Sequence, residues 1–336
     1  MKTKVSKYLN IIIRSLIIVA TIGFLVYQLF FKKNIVELFN DLVAKTDETF
    51  FYFYLIVALL MPLNWLLEAA KWRFLISPKE KIPLLTSLKA VFAGVSISSL
   101  SPNRVGEYFG RIFVLKKTGF WQAVVMTVLG SISQTMVTFI FGTNAIFLVL
   151  IFFAKTYEII NFTYLIWLYV FSLLIILAVF IAYLNIERAG RWFKSLNSKY
   201  LKYLNVLAVY SKNDLLKVFG FSLLRYFVFS TQFYLTLLAF GIELNIFLIY
   251  SIIFSIFLLN TILPTIAIFE IGVRGSISLA VFTFFYSSFK PELIPPNIEV
   301  VLASTIVWFT NLIIPSIIGL FFIKDIRFFK NKNEQK

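Results

Sequence analysis

Two stretches of this chain set a carboxylate four residues before an arginine in otherwise apolar sequence. The first is Ser101-Pro102-Asn103-Arg104-Val105-Gly106-Glu107-Tyr108-Phe109-Gly110-Arg111; the second is Leu263-Pro264-Thr265-Ile266-Ala267-Ile268-Phe269-Glu270-Ile271-Gly272-Val273-Arg274. Glu and Arg at this spacing share a helical face and can pair. Arginine also presents a planar donor fork suited to phosphate. Pro102 removes a helix hydrogen bond, and Asn103 is a helix-start residue whose following N–H groups attract anions. Glu107 and Glu270 can serve as structural glue for their arginines, or release them and carry a proton when an anionic cargo arrives. Arg225 stands alone in an apolar stretch and needs a carboxylate, a carbonyl-rich cavity or a lipid phosphate. The candidate substrate-binding set is therefore Arg104, Glu107, Arg111, Arg225, Glu270 and Arg274, with Pro102, Asn103, Gly106, Pro264 and Gly272 as breaks. The competing reading is that the arginines snorkel to the membrane surface and fix topology. Glu68 and Arg14, nearer the ends of their apolar runs, are expected at the interface.

The elements that carry these residues read as membrane. Sixty per cent of the 336 residues are hydrophobic and 14% are charged. Uncharged runs cover Phe50–Leu67, Thr118–Ala154, Ile159–Ile186, Leu244–Phe269 and Val300–Ile323. A run of about 18 or more apolar residues reads as a transmembrane helix. Ionisable residues at that depth cost at least ~2.5 kcal/mol each on insertion scales, which gives them a functional reading. The chain has no Cys and no His. That excludes His-based triads, thiol catalysis, Cys/His zinc and His-ligated haem, so neither metal nor cofactor is expected. No GxxxxGK[ST] motif supplies an ATP site.

Net charge is +16, and its distribution sets an expected topology. Lys2, Lys4 and Lys7 precede the first run; Lys71, Arg73, Lys79, Lys81 and Lys89 follow the second. Further basic residues fill 188–217 and the tail 324–336. The remaining loops, 32–49, 155–158, 243 and 290–299, hold five Lys/Arg against eight Asp/Glu. The positive-inside rule makes the first group cytoplasmic, with both termini inside. Topology accounts for the basic bias, so no nucleic-acid partner is expected. Tyr8–Phe31 is long for a signal-peptide core and no small-x-small site follows, so it reads as a retained span.

Ala90–Asn103 has only 14 uncharged residues, short for a span, so 88–117 reads as a hairpin entering and leaving on one side. The order is span, span, hairpin, span, then the same again from the opposite side. The fold class is all-α: a polytopic membrane helix bundle of about eight segments, an inverted-topology repeat with two Pro-broken hairpins, re-entrant or crossing. The single membrane domain, 1–336, divides into repeats 8–153 and 162–323. Between Arg188 and Lys217, Trp192, Leu196, Tyr200, Tyr203, Leu207 and Tyr210 recur at helical spacing. Segment 187–217 therefore reads as a cytoplasmic amphipathic segment on an anionic leaflet, or as a solvated linker.

Pro102-Asn103-Arg104-Val105-Gly106-Glu107, with Arg111 and the Lys116-Lys117-Thr118-Gly119 turn, resembles the P-x-R-x-G-E signature of flippase-like membrane proteins. These are related to the transmembrane region of lysylphosphatidylglycerol synthase, the multiple peptide resistance factor. Leu263-Pro264-Thr265 with Ile271-Gly272-Val273-Arg274 is similar to that family's second signature. The chain departs from the family at Ser131–Thr135, which lacks a Glu-Arg pair, at Ile268-Phe269 in place of Gly-Gly, and at Gly275 in place of an acid. The resemblance implies a lipid translocase of the cell (inner) membrane. Its cargo would be an anionic phospholipid, an aminoacylated lipid or a polyprenyl-phosphate-linked glycan, held in a polar cleft between the hairpins. Aminoacyl transfer belongs to a soluble region of the synthase, and no such region is read in these residues, so no enzyme activity is expected. The alternatives are a membrane subunit that recruits a soluble or membrane transferase, and a membrane-embedded transferase.

Overall fold

The structure is a computed structural model, and it describes residues 48–98, 106–157, 161–195, 203–263, 267–289 and 296–323, with positions 12, 15, 16 and 19. For 152–157, 267–271 and 287–289 it describes the backbone alone. Most of Tyr8–Phe31, Arg14, Pro102, Asn103, Arg104, Pro264, the tail 324–336 and the Glu270 side chain lie outside the described residues.

The described residues are all-helical. In chain order the helices are α1 (Glu48–Ile76), α2 (Leu84–Ser98), α3 (Gly106–Ile112), α4 (Phe120–Tyr157), α5 (Phe162–Leu184) and α6 (Ile186–Ser195). A 3-10 turn, Leu204–Val209, precedes α7 (Lys212–Ala239), α8 (Ile246–Ile262), α9 (Ala267–Phe289) and α10 (Asn297–Trp308). A π turn, Phe309–Ile313, then joins α10 to α11 (Ile314–Ile323). Among the described residues, four segments are long and apolar enough to cross a membrane: Glu48–Ile76, Phe120–Ile151, Phe162–Leu184 and Asn297–Ile323. This is a multi-pass membrane protein. At 28 residues α7 is as long, but Ser222, Arg225, Ser230, Gln232 and Thr236 lower its hydropathy. All but Arg225 are buried, so the polarity faces protein. Most of α5, by contrast, exposes apolar residues such as Trp167, Phe171 and Leu174, as a helix bathed in lipid does.

Local signals explain the helix ends. Ser211 and Asp214 form a reciprocal capping box at the start of α7. Asn161 and Asn245 accept from Thr163 N and Phe247 N to open α5 and α8. Gly241, at φ 71°, closes α7 with Gly241 N–H to Leu238 O and Ile242 N–H to Leu237 O, the Schellman arrangement. Pro315 has no N–H for the Asn311 carbonyl, and the widened π turn lies directly before it.

α1 and α7 lie against each other along their lengths, and both touch α4. Around that pair, α2 packs on α11 and α8 packs on α4. Within the hairpins α2 packs on α3 and α8 on α9, and these lean on α4 and α10 respectively. Glycines make the closest approaches. A Cβ on Gly110 would stand 2.4 Å from Gly94 Cα, so the α2 and α3 backbones touch. A Cβ on Gly142 would meet Leu258 at 2.4 Å and Phe254 O at 2.9 Å; one on Gly319 would meet Phe92 O at 2.0 Å and Ser96 Oγ at 2.3 Å.

Two expectations are corrected. Lys71 does not belong with the loop cations after the second span, because α1 runs on to Ile76 and buries it. The stripe from Trp192 to Tyr210 is not one face: Trp192 is exposed, while Leu207 and Tyr210 are buried. Gly190 of α6 folds back onto the Leu207–Ala208 backbone, and Tyr210 Oη donates to Leu75 O at 2.6 Å. Leu196 and Tyr200 lie outside the described residues.

The α3–α4 turn is held from a distance. The Glu80 carboxylate accepts from Lys116 N, Lys117 N and Thr118 N at 2.8–3.0 Å and from Thr118 Oγ1 at 3.1 Å. Burial pushes this carboxyl up, but the backbone donors outweigh it and hold it below the usual carboxylate value.

Candidate functional site

Glu68 is the hub of a buried ion cluster. Its Oε2 receives Lys71 Nζ at 2.8 Å and Arg225 Nη1 at 2.9 Å, and its Oε1 receives Arg111 Nη1 at 2.7 Å. Arg111 Nη2 also pairs with Glu107 Oε1. The carboxylate thus ties three elements together: α1, which carries Glu68 and Lys71; α3, which carries Glu107 and Arg111; and α7, which carries Arg225. Glu68, expected at the interface, is enclosed by protein and 5% exposed. The attraction of its three cations offsets part of the cost of taking the carboxylate out of water.

From this hub a chain of amides leads into a cavity. Arg225 Nε donates to Asn64 Oδ1 at 3.1 Å, and Asn64 Nδ2 donates to Asn311 Oδ1 at 3.0 Å. Asn311 sits in the π turn and donates back to Val307 O at 3.1 Å. The Arg225 guanidinium also lies over the Trp65 ring, 5.3 Å from its centroid. The cavity holds about 200 Å³, and Arg225, Arg274, Asn64, Gln134, Asn260 and Asn311 supply its polar wall. Among the described residues, five polar atoms on the lining are buried without a protein partner: the indole nitrogens of Trp65 and Trp308, Tyr226 Oη, Gln134 Oε1 and Asn260 Oδ1. Buried polar groups are nearly always satisfied, so a cluster of unpaired ones marks a place for something else to bind. The indole N–H and guanidinium groups only donate and the Tyr226 hydroxyl also can, while Gln134 Oε1 and Asn260 Oδ1 only accept, so the wall offers several donors to an oxygen acceptor beside two acceptors of its own.

The sequence-derived candidates divide accordingly. Arg225 and Arg274 line one cavity. Glu107 and Arg111 pair with each other, and Arg111 is enclosed between Glu107 and Glu68. Gly106 starts α3 and Gly272 lies within α9. Arg104 and the Glu270 side chain lie outside the described residues. Lys71, Glu68, Asn64, Gln134 and Asn311 were not among the candidates. The i,i+3 spacing of Glu68 and Lys71, with Trp65, Trp72 and Leu75 continuing the apolar pattern, is the signal that could have found the hub. Among the described residues, no group of three or more His, Cys, Asp or Glu could hold a metal ion.

Residues 11–319 match the model of a family described as the lysylphosphatidylglycerol synthase TM region. No curated protein and no solved structure gives a match.

Proposed function

The chain belongs to the family of the lysylphosphatidylglycerol synthase transmembrane region, and on that premise we propose that it is a lipid translocase for a phosphate-bearing headgroup. The observation that carries this reading is the donor-rich cavity, where Arg225 and Arg274 stand among unpaired indole and phenol groups. Its volume is below the ~300–1,000 Å³ of pockets that engulf a drug-sized ligand. It suits a headgroup whose chains stay in the bilayer. Among the described residues, the nearby cluster sets Lys71, Arg111 and Arg225 against Glu68 and Glu107, three cations to two carboxylates. The protein acts without an enzyme's chemistry, moving lipid downhill or with an ion.

The repeat reading, 8–153 and 162–323 within one membrane domain, draws support from packing. Pro102 and Pro264 differ by 162 in number, as do Phe92 and Phe254, and Ser96 and Leu258. The last two pairs are the residues met by Gly319 and Gly142. Each of these glycines stands 22 residues past the start of its helical segment, Asn297 or Phe120; Asn311 and Gln134 stand 14 past the same starts. Such equivalence favours a repeat; the proposed inverted arrangement of about eight segments in the cell (inner) membrane, both termini cytoplasmic, rests on loop charge and family resemblance.

Vesicles reconstituted with purified protein test the function. Wild type should equilibrate a fluorescent anionic phospholipid between leaflets faster than protein-free vesicles. Arg274→Gln should slow that transfer at least about tenfold, the cost of one lost charge-assisted contact. Transfer no faster than in protein-free vesicles would sink the reading. A stoichiometric transferase recovered with an inert protein would favour the recruiting subunit instead.

A further inference from the structure

A second cavity lies at the other face of the α1–α7 pair, where α1 ends. It holds about 470 Å³ and is lined by Ala70, Arg73, Phe74, Ser77, Lys81, Ile82 and Phe221. Its wall is apolar and its mouth is cationic. Arg73 uses Nε on Ile82 O at 3.0 Å, which seats the guanidinium at the rim. Lys217 adds a third cation, its Nζ 5.8 Å from the Phe74 ring centroid. Arg73, Lys81 and Lys217 are exposed.

The acids that adjoin these cations in sequence, Glu80 and Asp214, are committed elsewhere. Glu80 spends both oxygens on the 116–118 turn. Asp214 accepts from Ser211 N and Oγ in the cap of α7. Among the described residues, Arg73, Lys81 and Lys217 have no carboxylate partner. Three uncompensated cations over an apolar slot between membrane helices match an anionic headgroup with a chain attached. A free phosphate would use the cations but not the slot.

We propose that this α1–α7 mouth is a binding site for an anionic glycerophospholipid. The phosphate is held by Arg73, Lys81 and Lys217, and one acyl chain lies along Ala70, Phe74, Ile82 and Phe221. The site is separate from the donor-rich cavity and does not depend on the translocase reading.

Because the chain has no Cys, Ser77→Cys provides a single fluorophore position in the slot. The labelled protein is reconstituted in phosphatidylcholine vesicles with rising amounts of brominated-chain phosphatidylglycerol or, separately, brominated phosphatidylcholine. Phosphatidylglycerol should quench with a midpoint about thirtyfold lower than phosphatidylcholine. Arg73→Gln with Lys81→Gln should bring the midpoints together. Ala70→Phe should reduce the depth of quenching by filling the slot without touching a charge. Millimolar inorganic phosphate should leave the signal unchanged. Equal midpoints in the parent protein would overturn the proposal, as would full quenching in Ala70→Phe. Displacement by inorganic phosphate would mean an anion site without a lipid chain, and would also overturn it. Quenching is read at equilibrium, so a protein that moves no lipid still gives the result.

Discussion

Arg111 in the first hairpin and Arg274 in the second each follow a glutamate by four residues, yet their surroundings differ. Arg111 is buried between Glu68 and Glu107, whereas Arg274 lines the donor-rich cavity. The difference comes from the helix each hairpin meets. α1 brings Glu68 to the first hairpin, while α7 brings Arg225 and Tyr226 to the cavity wall. A buried carboxylate converts an arginine into scaffold. Arg274, in the second hairpin, stands instead at the wall of the cavity. The backbones differ in the same direction. Gly110 touches Gly94 across the first hairpin, but among the described residues a Cβ on Gly275 in the second would meet Val301 Cγ1 alone, at 3.5 Å.

The largest effect should come from taking away the hub. Glu68→Ala leaves the buried Lys71 and Arg111, beside the half-buried Arg225, without their shared carboxylate, which should cost about 3–5 kcal/mol of stability. Unfolding of detergent-solubilised protein measures it. In the same assay Arg111→Gln, which takes a buried cation from both Glu68 and Glu107, should be destabilised more than Arg274→Gln. Equal losses would erase the distinction between scaffold and wall.

A smaller effect sharpens the backbone half of the comparison. Gly110→Ala forces a methyl onto Gly94 and should cost about 1–3 kcal/mol. Gly275→Ala adds an ordinary contact inside a helix and should be neutral or stabilising by up to about 1 kcal/mol. Matching melting shifts for the two would mean the hairpins are packed alike.

The smallest effect is acidic. The Glu80 carboxyl is held below its ordinary value, so it stabilises the α3–α4 turn above that value. The contribution is lost as pH falls through the lowered value. Glu80→Gln should therefore flatten the acid limb of a melting-temperature profile below the ordinary carboxylate value. An unchanged limb would show that the turn next to the first hairpin does not need its carboxylate.

Much of this architecture was legible in the sequence. The uncharged runs carry the all-helical membrane class, and the i,i+4 spacing carries the Glu107–Arg111 pair. The hub was not legible, because its partners lie 43 and 157 residues from Glu68 and hydropathy carries no information about pairing. Lys71 was assigned to a loop on charge alone, although the helix continues past it. Asn64, Gln134 and Asn311 escaped because single amides barely disturb an apolar run. Their role depends on three helices converging. Trp65 and Trp308 read as ordinary membrane aromatics until their unpaired N–H groups are seen on one cavity wall.

Among the described residues the hub holds one more cation than carboxylate, and that surplus gives transmembrane voltage something to act on. Moving one elementary charge through 100 mV is worth about 2.3 kcal/mol. On the translocase reading, a monoanionic headgroup beside Arg225 brings the loaded cluster to electrical neutrality, while the empty cluster stays charged. The resting potential then biases the empty protein and leaves the loaded one untouched, so polarity of the membrane governs how the carrier resets rather than how it carries.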